Sequence, residues 1–221
     1  DTFASYGGVL SKISQMVNYT YGVYDHDVYS SCKPINPEKT KQFLESEILE
    51  FDDEIVSYDK EVFKSGSVGQ VHKAIHKDGS EIIIKVQYAD LMDIFENDFN
   101  VVDLVGKYIF YNINLGDALL DVKKQLREEL DYRIEVKNQL YMKELWDGDE
   151  YIKIPRIIPE LCGEKILAME FVKNGQSMTD FMDTATQEEI SFVGNNMIRF
   201  MFTNLFKHKL IYTDFHYGNF I

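Results

Sequence analysis

A single lysine interrupts a run of apolar, β-branched residues, Glu81-Ile82-Ile83-Ile84-Lys85-Val86. A short run of this kind is typical of a strand that is buried within a sheet. An ammonium group is costly to bury without a partner, so the lysine needs an anion or a carboxylate beside it. The alternative is an edge strand whose lysine points into water. The run therefore predicts a sheet and, if the strand is central, a specific partner for Lys85.

A glycine-containing segment precedes this strand: Phe63-Lys64-Ser65-Gly66-Ser67-Val68-Gly69-Gln70-Val71. It matches the last two glycines and the valine of the G-x-G-x-x-G-x-V phosphate-binding loop, with Lys64 at the first glycine position. Glycine lets backbone N–H groups approach phosphate oxygens because no side chain blocks the way. The tip of a β-hairpin also uses glycine, so both interpretations stay open. Further on, Lys77-Asp78-Gly79-Ser80 predicts a hairpin turn between strands at 71–75 and 82–86.

A helical pattern extends from Asp117 to about Leu145. Its apolar residues recur at steps of three and four, which predicts one buried stripe. These residues are Leu119, Val122, Leu126, Leu130 and Ile134, and the carboxylates on another face are Glu128, Asp131 and Glu135. A solvated acidic face is the ordinary explanation of the carboxylates. The other is that Glu135 pairs with Lys85, as a helix glutamate does in phosphoryl-transfer sites.

Near the end of the chain, Asp214-Phe215-His216-Tyr217-Gly218-Asn219 places an aspartate and an asparagine five positions apart. In phosphotransferases such an aspartate accepts the proton of the attacking hydroxyl, and the asparagine holds a magnesium ion. Alone, the spacing is also consistent with a surface turn. Together with the glycine segment, Lys85 and a helix glutamate, it completes an ordered set of four elements.

These segments resemble the UbiB/aarF family of atypical protein-kinase-like proteins, which is associated with ubiquinone biosynthesis and lipid homeostasis. Two segments differ from the family pattern: Lys12-Ile13-Ser14-Gln15 is similar to K-x-G-Q but has Ser14 for glycine, and the stretch 65–74 is similar to A-A-A-S-x-G-Q-V-H-x-A but has Gly66 for an alanine. The other similar segments are Ile84-Lys85-Val86-Gln87 (V-K-x-Q), Glu129-Leu130-Asp131 (E-x-D) and Thr213 to Asn219 (A-D-x-H-x-G-N). The last pattern also occurs in aminoglycoside and choline phosphotransferases.

The resemblance implies an α+β, protein-kinase-like fold with two lobes. The small lobe would hold an antiparallel sheet and extra N-terminal helices, and the large lobe would be mostly helical. We expect an N-terminal helical extension with the K-x-G-Q-like motif at 1–50, a kinase-like N-lobe at 51–172 and a partial C-lobe at 173–221. The chain begins without methionine and stops at Ile221, before a D-F-G segment could follow. Either the parent protein continues, or the domain is a remnant without full metal coordination.

The resemblance also implies ATP and Mg²⁺ as cofactors and assigns roles to residues. Three residues would be catalytic: Lys85 would contact the α/β-phosphates, Glu135 would orient Lys85, and Asp214 would lie near the nucleophile. Asn219 would hold the metal. The nucleotide contacts are expected from Ser65, Gly66, Ser67, Val68, Gly69, Gln70 and Lys85, and from the hinge residues Glu170 and Val172. Lys12 and Gln15 would lie across the mouth of the nucleotide cleft near Glu129 and Asp131. Such a plug disfavours ordinary protein phosphorylation.

The expected function is that of an ATP-binding atypical kinase or ATPase linked to quinone or lipid metabolism. Its partners would be ATP and a lipid, a quinone precursor or a quinone-biosynthesis protein. The alternative is a nucleotide-binding pseudokinase with a regulatory or scaffolding role. We expect the 221-residue chain by itself to bind ATP weakly and to turn it over little or not at all.

Charge and cysteine content narrow the classes of partner. The 23 basic and 37 acidic residues give 23 − 37 = −14, which disfavours attraction to nucleic acid or to an anionic membrane surface. Two distant cysteines, Cys32 and Cys162, predict a reducing compartment with free thiols. No apolar run reaches 18 residues and no signal-peptide pattern is present. Family members are mitochondrial, plastid or bacterial and membrane-associated, so membrane association of the parent protein stays open.

Three further patterns predict local structure. Asn36 and Pro37 open a helix as N-cap and first-turn proline. A capping box at Thr186-Gln187-Glu188-Glu189 opens another helix, which ends at Lys207-His208-Lys209. The apolar residues along it, among them Met197, Phe200, Met201, Phe202 and Phe206, are predicted to be core. The histidines at 72, 208 and 216 lack metal-ligand spacing and are assigned structural roles.

Overall fold

The structure is a computed structural model that describes residues 37–51, 53–66, 68–93, 95–97, 123–124, 127–211 and 217–221. Lys12, Gln15, Ser67 and Asp214 lie outside these ranges. The described residues form two compact units. Unit 1 comprises the described residues up to Leu140 together with Arg156–Phe171. Unit 2 comprises the described residues of Tyr141–Pro155 and Val172–Ile221. The division at 1–50, 51–172 and 173–221 stays a prediction.

Unit 1 is built on an antiparallel five-stranded sheet. Its strands are β1 (Ile55–Tyr58), β2 (Lys64–Ser65), β3 (Gly69–His76), β4 (Glu81–Gln87) and β5 (Ile166–Glu170). They lie in the order β1-β3-β4-β5, and β2 pairs with β3 beyond the end of β1. The predicted turn at 77–80 joins β3 to β4, and Gly79 takes the left-handed conformation with φ 83° that glycine adopts without strain. Strand β4, which contains the lysine, is therefore a central strand. The alternative interpretation of the sequence, an edge strand whose lysine points into water, does not hold.

One face of the sheet packs against helix α1 (Pro37–Leu49), which begins at the predicted proline. Because side chains alternate along a strand, Ile82, Ile84 and Val86 all point to this face. They are fully buried together with Leu44 and Ile48 of α1. Burying a side chain of this size contributes about 1.5–3 kcal/mol, so the alternating isoleucines stabilise the unit strongly.

The opposite face is covered by helix α2 (Tyr132–Leu145). Tyr132 packs with Ile157 and Leu167 in a second buried cluster. Lys85 belongs to this face, since it alternates with the isoleucines that face α1. The same alternation places the lysine beneath α2.

The prediction of one uninterrupted helix from 117 to about 145 is wrong at Leu130 and Asp131, which form a turn between two helical stretches. The carboxylate of Asp131 accepts a hydrogen bond from the backbone N–H of Arg133 at 3.0 Å, as the N-cap residue of α2 does. The turn resets the helical phase. Leu130 is buried as predicted, but Ile134 is 39% exposed. Of the five residues of the predicted stripe, the structure describes only these two.

In the stretch 152–172, only Ile166–Glu170 forms a strand, β5. Pro159–Leu161 forms a 3₁₀ turn instead, and Ile157 makes an isolated bridge to Met169. Pro155 and Pro159 lack the N–H groups that a continuous ladder needs, which explains the interruption.

Unit 2 is helical in its described part. Helix α3 spans Met178–Thr184, and α4 spans Gln187–Phe202. The capping box predicted at Thr186 and Glu189 is confirmed. Helix α4 continues as a π-helical turn, Thr203–His208, and ends at Lys209, whose φ is 59°. None of the helices within the described residues has the length and apolar character that a bilayer crossing requires.

Trp146 determines which face of α4 is buried. Its ring lies 5.0 Å from that of Phe200, and its indole N–H donates to Oδ1 of Asn204 at 3.0 Å. Phe200 and Asn204 are buried, whereas Phe202 is 46% and Phe206 is 65% exposed. The prediction that the phenylalanines and methionines of this helix are core is therefore confirmed for Phe200 and wrong for the exposed Phe202, Phe206 and Met201. The wider π-helical turn shifts the phase after residue 202, which the 3.6-residue pattern could not show.

An ion pair in unit 2 gives a prediction for acid stability. The guanidinium of Arg199 donates to both carboxylate oxygens of Asp149, at 2.7 and 2.8 Å. It holds the pKa of Asp149 well below the usual range of an aspartate. A depressed folded-state pKa contributes stability that is present above the unfolded pKa, about 3.9, and is lost as the pH falls through the folded-state value.

We therefore expect Asp149→Asn to lower the urea midpoint at pH 7, with a difference from wild type that shrinks below about pH 4. Asp147→Asn is the matched control, because Asp147 is exposed and only approaches Lys143 at 3.7 Å. A difference between Asp149→Asn and wild type that stays constant from pH 7 to pH 3 would contradict the assignment.

Candidate functional site

Lys85 and Glu135 form a bidentate ion pair between the sheet of unit 1 and helix α2. The lysine Nζ donates to Oε1 at 3.0 Å and to Oε2 at 2.8 Å. The side chains are 29% and 39% exposed, so both groups can be reached from solvent. The predicted pairing is confirmed. Glu135 lies in the first turn of α2, where the positive end of the helix dipole also favours a carboxylate.

The aromatic ring of Tyr132, at the start of α2, packs against this ion pair. The ring lies 4.6 Å from Nζ of Lys85, a distance at which it attracts the cation. The side chain is completely buried, and among the described residues its hydroxyl has no hydrogen-bond partner. Burial first, and the nearby charge of Glu135 second, raise the pKa of Tyr132 well above its ordinary value. The neutral phenol therefore acts as an apolar support that limits where the ammonium can lie.

Removing only the hydroxyl of Tyr132 is expected to be neutral or mildly stabilising, because a buried donor without a partner costs about 1–3 kcal/mol. Removing the ring should cost about 3–5 kcal/mol through the cavity that it leaves. Urea unfolding of Tyr132→Phe and Tyr132→Ala measures both. A Tyr132→Phe variant as unstable as Tyr132→Ala would show that the hydroxyl has an essential partner.

The glycine-containing segment forms the β2–β3 hairpin, and Gly66, Val68 and Gly69 lie at its tip. The backbone N–H of Gly66 donates to the carbonyl of Gly69 at 2.8 Å. Tyr88, the residue after β4, fixes the tip: its hydroxyl donates to the carbonyl of Gly66 at 3.0 Å and its N–H to that of Val68 at 3.1 Å. The hairpin interpretation is thus confirmed as structure, while its contact with phosphate stays a prediction.

Gly69 is the position where the tip comes closest to its surroundings. A Cβ on Gly69 would meet the carbonyl oxygen of Val86, and the hydroxyl of Tyr132 at 2.9 Å. Gly66 differs, because a Cβ there would meet only the Gly69 carbonyl oxygen, at 3.5 Å. Of these two glycines, only Gly69 is therefore required by packing.

The E-x-D segment is attached to the sheet through Gln87, whose buried side chain donates to the carbonyl of Leu130. Asp131 pairs with Arg133, Nε to Oδ1 at 2.8 Å, and this guanidinium lowers the pKa of Asp131. Its observed partner is thus an arginine of its own helix. The predicted contacts of Glu129 and Asp131 with Lys12 and Gln15 fall outside the described residues and stay a prediction.

The remaining predicted site residues are placed as follows. Ser65 ends β2, and Gln70 is buried within β3. Glu170 ends β5; its N–H donates to the carbonyl of Arg156 at 2.8 Å, and its Oε2 accepts from the Arg156 N–H at 3.2 Å. Val172 follows in unit 2 and is half-buried. Asn219 is exposed and ends the 3₁₀ turn Tyr217–Asn219.

Sequence reasoning missed two tyrosines of this region. Tyr88 and Tyr132 directly follow the V-K-x-Q and E-x-D segments, so adjacency to both motifs was the available signal. His72, by contrast, has a structural role as predicted. It is buried, its Nδ1 lies 2.9 Å from the carbonyl oxygen of Asp59, and burial lowers its pKa.

Comparison with known proteins places this geometry in a family. The profile of the ABC1 atypical kinase-like domain matches residues 27–221. The chain is 27% identical over 199 residues to the probable protein kinase UbiB of Azotobacter vinelandii, covering 84% of this chain and 36% of that protein. It is 27% identical over 182 residues to the mitochondrial atypical kinase COQ8B of Rattus norvegicus, covering 80% and 34%. For AarF domain-containing protein kinase 1 of Xenopus laevis the values are 26% over 225 residues, 99% and 43%.

The chain thus spans about a third to two fifths of the length of these relatives. Among solved structures, Rv3197 of Mycobacterium tuberculosis, in complex with erythromycin, has a similar fold with a TM-score of 0.73. It is 23% identical, and the likeness covers 85% of this chain and 48% of that one. The predicted α+β, kinase-like fold is confirmed. Since the profile covers most of the chain and relatives named UbiB, COQ8B and AarF kinase match along it, the chain belongs to the ABC1 atypical kinase-like family, the UbiB/aarF proteins.

Proposed function

We propose that this chain binds ATP and takes part in Mg²⁺-dependent phosphoryl transfer or ATP hydrolysis. The observation that carries the proposal is the ion pair between Lys85 and Glu135 on the face of the sheet below α2. A phosphate group needs a cation that is held in place but remains accessible. Lys85 meets both conditions, because a carboxylate and an aromatic ring fix it while part of its side chain stays exposed.

The β2–β3 tip would supply the second phosphate contact. Glycine at this position leaves backbone N–H groups accessible to phosphate oxygens. The hydrogen bonds of Tyr88 hold the tip in place, so the tip has little conformational freedom to lose when ATP binds. Gln70 and the hinge residues Glu170 and Val172 are proposed to line the nucleotide, in line with the family resemblance.

The donor chemistry fits a magnesium ion. Mg²⁺ prefers oxygen ligands and keeps several waters, and the carboxamide of Asn219 offers such an oxygen at an exposed position. The ion would neutralise part of the phosphate charge when it is bound with ATP. Asp214 is proposed to accept the proton of the attacking hydroxyl or water, and this role rests on the sequence resemblance alone.

The physiological partner is proposed to be a lipid, a quinone precursor or a protein of quinone biosynthesis. The support is the resemblance to the UbiB/aarF proteins. Lys12 and Gln15 would restrict access of ordinary protein substrates, which favours ATP hydrolysis coupled to such a partner.

Calorimetric titration with Mg-ATP and an assay of phosphate release test the proposal, each carried out with this chain and with the full-length protein. We expect binding in both, release in the full-length protein, and loss of release but not of binding in Asp214→Asn. Binding without release in any form would favour the pseudokinase. An absence of ATP binding in both proteins would contradict the proposal.

A further inference from the structure

A second cluster of ionisable side chains lies in unit 1, at the end of β3 opposite the glycine tip. Its centre is His76, the last residue of β3, which is 95% buried. Glu54 approaches from the start of β1, Asp78 from the β3–β4 turn and Glu160 from the 3₁₀ turn Pro159–Leu161. None of these residues takes part in the proposed nucleotide site.

The donor atoms converge on one side of the imidazole ring. Nε2 of His76 lies 3.4 Å from Oε2 of Glu54 and 4.0 Å from Oε1 of Glu160. One ligand atom from each of these three residues lies within 4.8 Å of the other two. Two ligands bound tetrahedrally to Zn²⁺ at about 2.0–2.2 Å are about 3.4 Å apart, so the spacing to Glu54 already fits an ion. Glu160, half exposed, can close the longer gap by a small rotation.

The buried atoms of this cluster lack hydrogen-bond partners. Among the described residues, neither ring nitrogen of His76 nor Oε2 of Glu54 makes a hydrogen bond of acceptable geometry. Buried polar groups in native proteins are nearly always satisfied, so such atoms call for an explanation. A ligand between the imidazole and the carboxylates would satisfy Nε2 and both carboxylates at once.

We propose that Glu54, His76 and Glu160 bind a divalent transition-metal ion such as Zn²⁺. Imidazole and carboxylate ligands suit these ions, and three protein ligands leave room for water. Asp78 completes the arrangement, because its Oδ1 lies 3.1 Å from Nδ1 of His76. This contact falls short of hydrogen-bond geometry, but a small rotation of the half-exposed Asp78 lets its carboxylate accept the other ring proton and orient the histidine, as carboxylates do in metal sites.

The charges of the cluster also favour a divalent cation. Glu54, Asp78 and Glu160 carry three negative charges, and Lys77, whose Nζ donates to Oε1 of Glu54 at 2.5 Å, carries one positive charge. The sum is −3 + 1 = −2 when His76 is neutral, and a divalent ion would bring it to zero. Lys77 occupies the other oxygen of Glu54, so it leaves Oε2 to the ion.

The backbone holds the three ligands on rigid elements. Ile55 and His76 are paired in the β1–β3 ladder, and the N–H of Lys77 donates to the carbonyl of Glu54 at 2.8 Å. Glu160 precedes Leu161, which is completely buried in the core. The ligands come from three separate parts of the sequence, which is why no motif spacing reveals them.

Equilibrium dialysis against Zn²⁺, followed by elemental analysis, tests the proposal with the purified protein. We expect about one ion per chain that survives dialysis against buffer, and a higher melting temperature with Zn²⁺ than without. Asp78→Asn should weaken binding about 10- to 100-fold, as the loss of a supporting carboxylate does elsewhere. Glu160→Gln and His76→Gln should weaken it at least as much.

Glu61→Gln is the matched control, since it removes an exposed carboxylate of unit 1 that lies outside the cluster. It should bind Zn²⁺ as wild type does. If His76→Gln does not fold, Asp78→Asn and Glu160→Gln still test the proposal, because both side chains are about half exposed. Absence of a bound ion in wild type, or unchanged binding in Glu160→Gln and Asp78→Asn, would overturn the proposal. The first of these outcomes would indicate that the carboxylates pair with the imidazole of His76 directly.

Discussion

Lys85→Met is expected to lower the affinity for Mg-ATP about 10- to 100-fold, the loss of one charge-assisted hydrogen bond to phosphate. Turnover by the full-length protein should fall about 100- to 1,000-fold, the usual consequence of removing one electrostatic stabiliser of the transition state. The physical reason is that Lys85 is the cation that Glu135 and Tyr132 hold in a fixed position. Methionine keeps an unbranched side chain that is one atom shorter, and it removes the charge together with the N–H donors.

Glu135→Gln should have a smaller effect on affinity, because the lysine keeps its charge and loses only its orientation. Lys165→Met is the matched control for charge: Lys165 lies over the ring of Phe43, a residue that packs against the other face of the sheet. Circular dichroism and the melting temperature should confirm that each variant is folded. If Lys165→Met weakens ATP binding as much as Lys85→Met does, the effect reflects net charge and the assignment of Lys85 is wrong.

Gly69→Ala is expected to destabilise the protein by about 2–3 kcal/mol, near the upper part of the range for overpacked positions. The new methyl group would be pressed against the backbone carbonyl of Val86 and the hydroxyl of Tyr132, and a backbone atom in a central strand has little room to move. The side chain of Tyr132 supports Lys85, so ATP affinity should fall as well.

Gly66→Ala is the matched substitution three residues earlier. A methyl group there makes only an ordinary contact, so the variant should be as stable as wild type or more stable by about 0.4–1 kcal/mol, because alanine restricts the unfolded chain. It also restores the alanine found at this place in the UbiB/aarF pattern. Urea unfolding measures both variants, and equal effects of the two substitutions would contradict the packing argument.

The sequence was most informative where local chemistry leaves few solutions. A lysine within an isoleucine-rich strand has to find a carboxylate, and Glu135 was the correct choice among several acids of one helical pattern. The proline and the capping box located the starts of α1 and α4 for the same reason, since both satisfy or replace backbone donors locally.

The errors arose where tertiary contacts or irregular backbone decide. The turn at Leu130 and Asp131 is stabilised by Gln87, a residue more than forty positions away, so the helical periodicity continued past a break that it could not detect. The exposure of Phe202 and Phe206 follows from the position of Trp146 and from a π-helical turn. The cluster around His76 joins residues 54, 76 and 160, which only folding brings together.

The central claim is that Lys85 contacts the phosphates of a bound nucleotide. It is tested most directly by the affinities of wild type and Lys85→Met for Mg-ATP and for adenosine, measured under the same conditions by calorimetry. A phosphate contact predicts that the substitution weakens ATP binding about 10- to 100-fold and leaves adenosine binding unchanged. Equal losses for ATP and adenosine, or no loss for either, would contradict the claim.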